Sequence, residues 1–149
     1  MSTRSGIVIK DGKNARGIYV HYDGYIKGGV GETLLRHYTN REKVEKLVAL
    51  GDCSQVADCP NVEPAAGVAH SFNKPADGVV VAYGRDRGEK DVGTRAGTLK
   101  EVIENLKDSG AEFVYVFEDD GTWSVVRRRD GGHRVALTDA ARLEPDAEG

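Results

Sequence analysis

The chain has 149 residues, 39% of them hydrophobic and 30% charged, with 19 glycines and a formal net charge of −3. That length supports one domain able to bury roughly 68–70% of its unfolded surface, so no disulfide or metal staple is required. The mild negative charge argues against wholesale attraction to nucleic acid or membrane, and no apolar run approaches the ~20 residues of a membrane span.

The first residues, MSTRSGIVIK, lack the apolar core of a secretory signal, so a cytoplasmic protein is expected. Ile7-Val8-Ile9 is a β-rich run, and Asp11-Gly12-Lys13-Asn14 carries turn chemistry. Ile18, Val20 and Tyr22 then alternate with Tyr19, His21 and Asp23, which predicts a hairpin whose second strand ends at Asp23-Gly24. Gly28, Gly29 and Gly31 follow as a phosphate-sized loop before a short helix carrying Leu34, Leu35 and Tyr38. That loop has neither a Walker lysine-serine nor a dinucleotide fingerprint. His37 falls near the end of this helix, where it answers the dipole.

Thr39-Asn40-Arg41-Glu42 has the S/T-x-x-E form of a capping box, which predicts a helix with Val44, Leu47 and Val48 as its apolar stripe and Gly51 as its stop. Residues 52–78 read as a long loop, of a length usually found where a loop covers or binds something. Its two cysteines, Cys53 and Cys59, have a C-x5-C spacing with no second pair, so neither a metal nor a cofactor is assigned. Val79 to Tyr83 reads as a central buried strand, running into GRDRGEKDVG with six charges in ten residues. Thr98-Leu99-Lys100-Glu101 repeats the capping box, and Leu99, Val102, Ile103 and Leu106 match the helical i, i+3, i+4, i+7 template. Phe113–Phe117 and Trp123–Val126 flank Asp119-Asp120-Gly121 as a second hairpin. Arg127-Arg128-Arg129 reads as an edge-protecting charge block, since alternation divides it between two faces.

The expected architecture is a single α+β domain over residues 1–137. It has an antiparallel or mixed sheet with two hairpins and two to three helices on one face, and residues 138–149 form a polar tail. The helices at 41–50 and 98–108 are expected on that one face, leaving the other partly open.

Two constellations are candidates for function. On an extended strand Tyr19, His21 and Asp23 share one face, where a carboxylate can orient an imidazole or both can ligate a metal. An ordinary solvated strand is the competing reading. The second is Tyr83-Gly84-Arg85-Asp86-Arg87-Gly88-Glu89, where two arginines on a glycine-flanked turn can fork onto phosphate or carboxylate, held by the two acids. Its competing reading is a solvated charged loop. No Ser-His-Asp or zinc-protease pattern is present, so no catalytic residue is named.

Thr3-Arg4-Ser5, Tyr19-x-His21-Tyr22-Asp23-Gly24-Tyr25, Leu35-x-His37-Tyr38, Lys43-Val44, Leu50-Gly51-Asp52-x-Ser54, His70-Ser71-Phe72 and the Tyr83–Glu89 segment form an ordered set. It resembles an uncharacterised family of small phage, prophage and bacterial proteins whose motif usually reads H-W-D-G-Y. Tyr22 departs from it, one aromatic for another. The resemblance covers roughly the first ninety residues and, more loosely, the second hairpin, and it implies no particular activity.

Three function classes follow in order. The first is a phage-type accessory protein that binds an anionic small molecule, such as a nucleotide, in host counter-defence. The second is a metal-dependent hydrolase or transferase using His21 and Asp23, with Asp86 and Glu89 as further ligands. The third is a protein-binding inhibitor of a host factor. The ligand-binding expectation gathers Tyr19, His21, Asp23, Tyr25, Arg85, Asp86, Arg87 and Glu89 into one pocket, with Tyr19 and Tyr25 as aromatic walls.

Overall fold

The computed structural model describes residues 3–128 and 133–143. Eight strands form one mixed sheet: β1 (Ser5–Asp11), β2 (Asn14–Val20), β3 (Cys53–Gln55), β4 (Val81–Ala82), β5 (Arg95–Thr98), β6 (Phe113–Phe117), β7 (Trp123–Arg127) and β8 (Arg134–Ala136). The order is β4-β3-β2-β1-β6-β7-β8, with β5 also on β2. β1 pairs with β6 in parallel and β2 with β3 in parallel, while the remaining pairs are antiparallel. Both expected hairpins are present, β1–β2 and β6–β7. The sheet is larger than expected, because β3, β5 and β8 are too short to register as periodic runs. The strand expected to be central, at Val79–Tyr83, is only β4 and stands at the end of the order, whereas β1 lies inside.

The helices are α1 (Val30–His37), α2 (Arg41–Ala49), α3 (Tyr83–Arg87), α4 (Leu99–Asp108) and α5 (Leu137–Leu143). Thr98 and Glu101 complete the predicted capping box of α4. In α2 the cap is Asn40, whose side chain accepts the Lys43 amide, and not Thr39. α5 packs on β7 and α1, with Leu137 and Ala140 buried, so the polar tail is helical as far as Leu143. The rest of that tail, and Arg129 of the arginine run, lie outside the described residues.

Alternation along β1 decides how the helices are distributed. Ile7 and Ile9 join Val20, Leu34, Val44, Leu47, Tyr115 and Leu137 in one core, so α1, α2 and α5 share one sheet face. Val8 joins Val114, Val116, Val126, Val102 and Leu106 in the second core, so α4 covers the opposite face. The expectation that α2 and α4 pack on one face is therefore corrected: three helices share a face, but α4 is not among them. Gly6 and Gly17 permit the close approach of α4. A Cβ at Gly6 would stand 2.6 Å from a Leu106 methyl, and one at Gly17 2.8 Å from a Val102 methyl.

Candidate functional site

β2 ends at Val20, so Tyr19, His21 and Asp23 do not share a strand face. The His21 and Tyr22 amides donate to the Cys53 and Ser54 carbonyls, both at 3.1 Å, and carry the chain past β2 along β3. Asp23 then turns at φ +56, a left-handed conformation that Asp tolerates better than most residues. Its carbonyl accepts the Val30 amide, and its carboxylate accepts the Tyr25 hydroxyl at 3.1 Å. Asp23 and Tyr25 thus serve the turn into α1, and the expected His21–Asp23 pair gives way to another. The Tyr19 hydroxyl lies 2.9 Å from His21 Nδ1.

The glycine loop is closed in the same way. The amides of Gly29, Val30, Gly31 and Glu32 donate to carbonyls of Ile26, Asp23, Tyr25 and Ile26, and the Gly28 amide to Glu32 Oε1. A Cβ at Gly29 would stand 2.3 Å from the Tyr25 carbonyl oxygen, so glycine is required for this folding of the loop on itself. Amides already bonded to the chain do not form a phosphate cradle.

At the other constellation α3 follows β4 directly, and its side chains fold back over the sheet end. Arg85 Nη1 donates to the Val62 carbonyl and Nη2 to the Val80 carbonyl, both at 2.6 Å, while Nε donates to Asp86 Oδ1 at 2.8 Å. Asp86 Oδ2 accepts the Ala82 amide at 2.8 Å and lies 3.0 Å from His70 Nε2. Burial raises the Asp86 pKa, but the hydrogen bonds from Arg85, the Ala82 amide and His70 outweigh it and hold the carboxyl below the ordinary range. Arg85 and Asp86 are therefore a fastening for residues 61–80. The arginine fork expected to grip an external anion is engaged by the chain's own carbonyls.

Arg87 is different. It pairs with Glu89, and its guanidinium lies over the Phe72 ring at 4.4 Å and the Tyr83 ring at 5.4 Å, with half its side chain exposed. Phe72 and Tyr83 are 5.6 Å apart. Tyr83, and not Arg85, links the two constellations. Burial raises its phenol pKa and a hydrogen bond with Ser54 opposes the rise, and the Ser54 carbonyl accepts the Tyr22 amide at 3.1 Å. Tyr22 is 46% exposed and meets His21 edge-on at 4.6 Å.

Beneath this aromatic group lies Asp52, which sequence reasoning did not select. Its Oδ1 accepts the Tyr19 amide at 2.9 Å and Arg95 Nη1 at 2.6 Å, and Arg95 Nε continues to Asn105 Oδ1 at 2.5 Å. A surface depression of about 280 Å³ opens beside Arg95 and Asn105. The one sequence signal for Asp52 was its place in the Leu50-Gly51-Asp52-x-Ser54 segment. Burial is also the main cause raising the Tyr19 pKa, with Arg4 acting the other way. The phenol is therefore protonated at neutral pH. The contact engages Nδ1 of His21, and its Nε2 has no partner among the described residues.

No three His, Cys, Asp or Glu side chains among the described residues group as metal ligands. Burial pushes the Cys53 thiol up, and the Cys59 thiol up to about 12, so both are inert as nucleophiles at neutral pH. No described helix is long and apolar enough to cross a membrane. Comparison with protein-family models, curated proteins and solved structures gave no match for the chain.

Proposed function

We propose that this protein binds an anionic small molecule with an aromatic ring, of the nucleotide class, and holds it without transforming it. The observation that carries this reading is that Ser54 bonds both Tyr22, which meets His21 edge-on, and Tyr83, which lies under Arg87. One patch then offers an exposed ring, a partly exposed imidazole and a half-exposed guanidinium. A base stacks on such rings for roughly 1–3 kcal/mol, while the guanidinium suits an acceptor-rich, negatively charged remainder. Of the residues expected to line one pocket, Tyr19, His21 and Arg87 with its partner Glu89 belong to this patch. Arg85 and Asp86 support it from the side, and Asp23 and Tyr25 shape the turn beyond it. The resemblance to phage and prophage proteins supports a counter-defence setting, where sequestering a nucleotide requires affinity and no turnover.

The metal-dependent reading loses its support, because His21 and Asp23 have separate partners and Asp86 is committed to Arg85 and His70. The test is mass spectrometry of the protein purified from its host, followed by calorimetric titration with AMP and ADP. Binding that Tyr22→Ala weakens roughly 10- to 100-fold, with the fold retained, is the expected outcome. Nucleotides that fail to bind at millimolar concentration, with none co-purifying, would sink the proposal.

A further inference from the structure

Residues 61–80 form a strap whose two ends are tied together. The Asn61 amide donates to the Gly78 carbonyl and the Val80 amide to the Asn61 carbonyl, both at 3.0 Å. Its base contributes Val62, Val79 and Val80 to the buried set, but most of residues 63–77 are exposed, including half of Val68. A segment with so few apolar contacts has little holding it beyond its polar fastenings, which makes it a low-stability unit.

Those fastenings converge on one histidine. The His70 and Asp86 side chains are each only 4% exposed. His70 Nδ1 accepts the Ala76 amide at 2.9 Å, and Nε2 lies 3.0 Å from Asp86 Oδ2. The amide N–H can only donate, so Nδ1 must present its lone pair, and Nε2 carries the proton toward the carboxylate. Two residues on, the Phe72 amide donates to the Asp86 carbonyl at 3.3 Å, which sets the Phe72 ring against Tyr83 under Arg87.

We propose that the 61–80 strap is a lid over Tyr83, latched by neutral His70 and released when His70 takes a second proton. Protonation at Nδ1 sets an N–H against the Ala76 N–H, so the bond that closes the strap on itself is lost. Two charged groups on α3 face the ring and act in opposite senses. The Asp86 carboxylate favours the imidazolium, and Arg85, whose Nη2 lies 3.4 Å from Nε2, opposes it. Closed, the strap keeps Phe72 on one face of Tyr83. Open, it frees that face and the Arg87 guanidinium. The regulatory meaning rests on the reading of Tyr83 as part of the ligand patch, but the latch itself does not.

Amide hydrogen exchange on the full chain without ligand, from pH 7.5 to 5.5 and corrected for intrinsic rates, reads the latch directly. As the pH falls across this range, Phe72 and Ala76 should lose protection roughly tenfold, while Ile7 and Val116 in the sheet stay unchanged. His70→Gln, which does not titrate, should flatten the strap profile. Strap amides that stay protected to pH 5.5 in the wild type overturn the latch even if that variant fails to fold. The same pH dependence in wild type and His70→Gln overturns it too. Because the readout contains no nucleotide, a failure of nucleotide binding leaves it standing.

Discussion

The Tyr19 hydroxyl and His21 Nδ1 lie 2.9 Å apart, joining alternate residues where β2 gives way to β3. The bond orients an imidazole whose Nε2 has no partner among the described residues. Tyr19→Phe keeps the ring that packs toward α4 but removes the hydroxyl. Stability should fall by no more than about 1.5 kcal/mol, the usual net worth of one hydrogen bond. Affinity for AMP should fall several-fold, because the ring no longer has its direction set. Equal affinity of the variant, measured by calorimetry, would remove His21 from the binding patch.

Leu47 on α2 and Leu106 on α4 are both fully buried, in cores on opposite sides of the sheet. Each change to Ala should cost roughly 2–5 kcal/mol. With a sheet between them the residues share no cavity, so the double variant should lose the sum of the two within about 0.5 kcal/mol. Denaturant unfolding of the single and double variants measures this. A clear coupling energy would mean that the two helices share one sheet face, as the sequence suggests.

That expectation went wrong for a reason visible in particular residues. Ile7-Val8-Ile9 and Val114-Tyr115-Val116 are continuous apolar runs, which alternation places on both faces of the sheet. Such runs signal helices on both sides. Val79–Tyr83 is another such run, but only Val81–Ala82 of it pairs as a strand, and its valines are buried at the end of the sheet. Hairpins and helices were legible because turn glycines and capping residues act over a few positions. The site was less legible. Asp52 meets Tyr19 across 33 residues and Tyr83 meets Ser54 across β3 and β4, and no local period records such pairings. His21 and Asp23 misled because period-2 reasoning holds only while the strand continues.

Ser5 offers a test of the core near the Asp23–Gly29 turn. It is fully buried on β1, and its hydroxyl has no hydrogen-bond partner among the described residues. Gly24 packs against it closely enough that a Cβ there would reach 2.7 Å from the Ser5 Cβ. A buried hydroxyl without a partner costs roughly 1–3 kcal/mol, and alanine removes it without opening a large cavity. Ser5→Ala should therefore raise the denaturation midpoint by the equivalent of about 1 kcal/mol. A lowered midpoint would show that the hydroxyl is satisfied by bound water.

Asp86 sets the acid limb of stability. Burial raises its pKa, yet Arg85, the Ala82 amide and His70 together bring it below the ordinary carboxylate range. A carboxyl depressed in the fold contributes stability that is complete above its unfolded value near 4 and disappears as pH falls through its folded value. Asp86→Asn should then cost roughly 1–3 kcal/mol at pH 7, where it removes charge from bonds to Arg85 and the Ala82 amide. The difference from wild type should shrink as the pH drops below 4, because a protonated Asp86 and an asparagine present similar groups to Arg85. Urea unfolding at pH 7, 4 and 3 measures the gap. A gap that stays constant with pH would mean that the carboxylate charge does not hold α3 to β4.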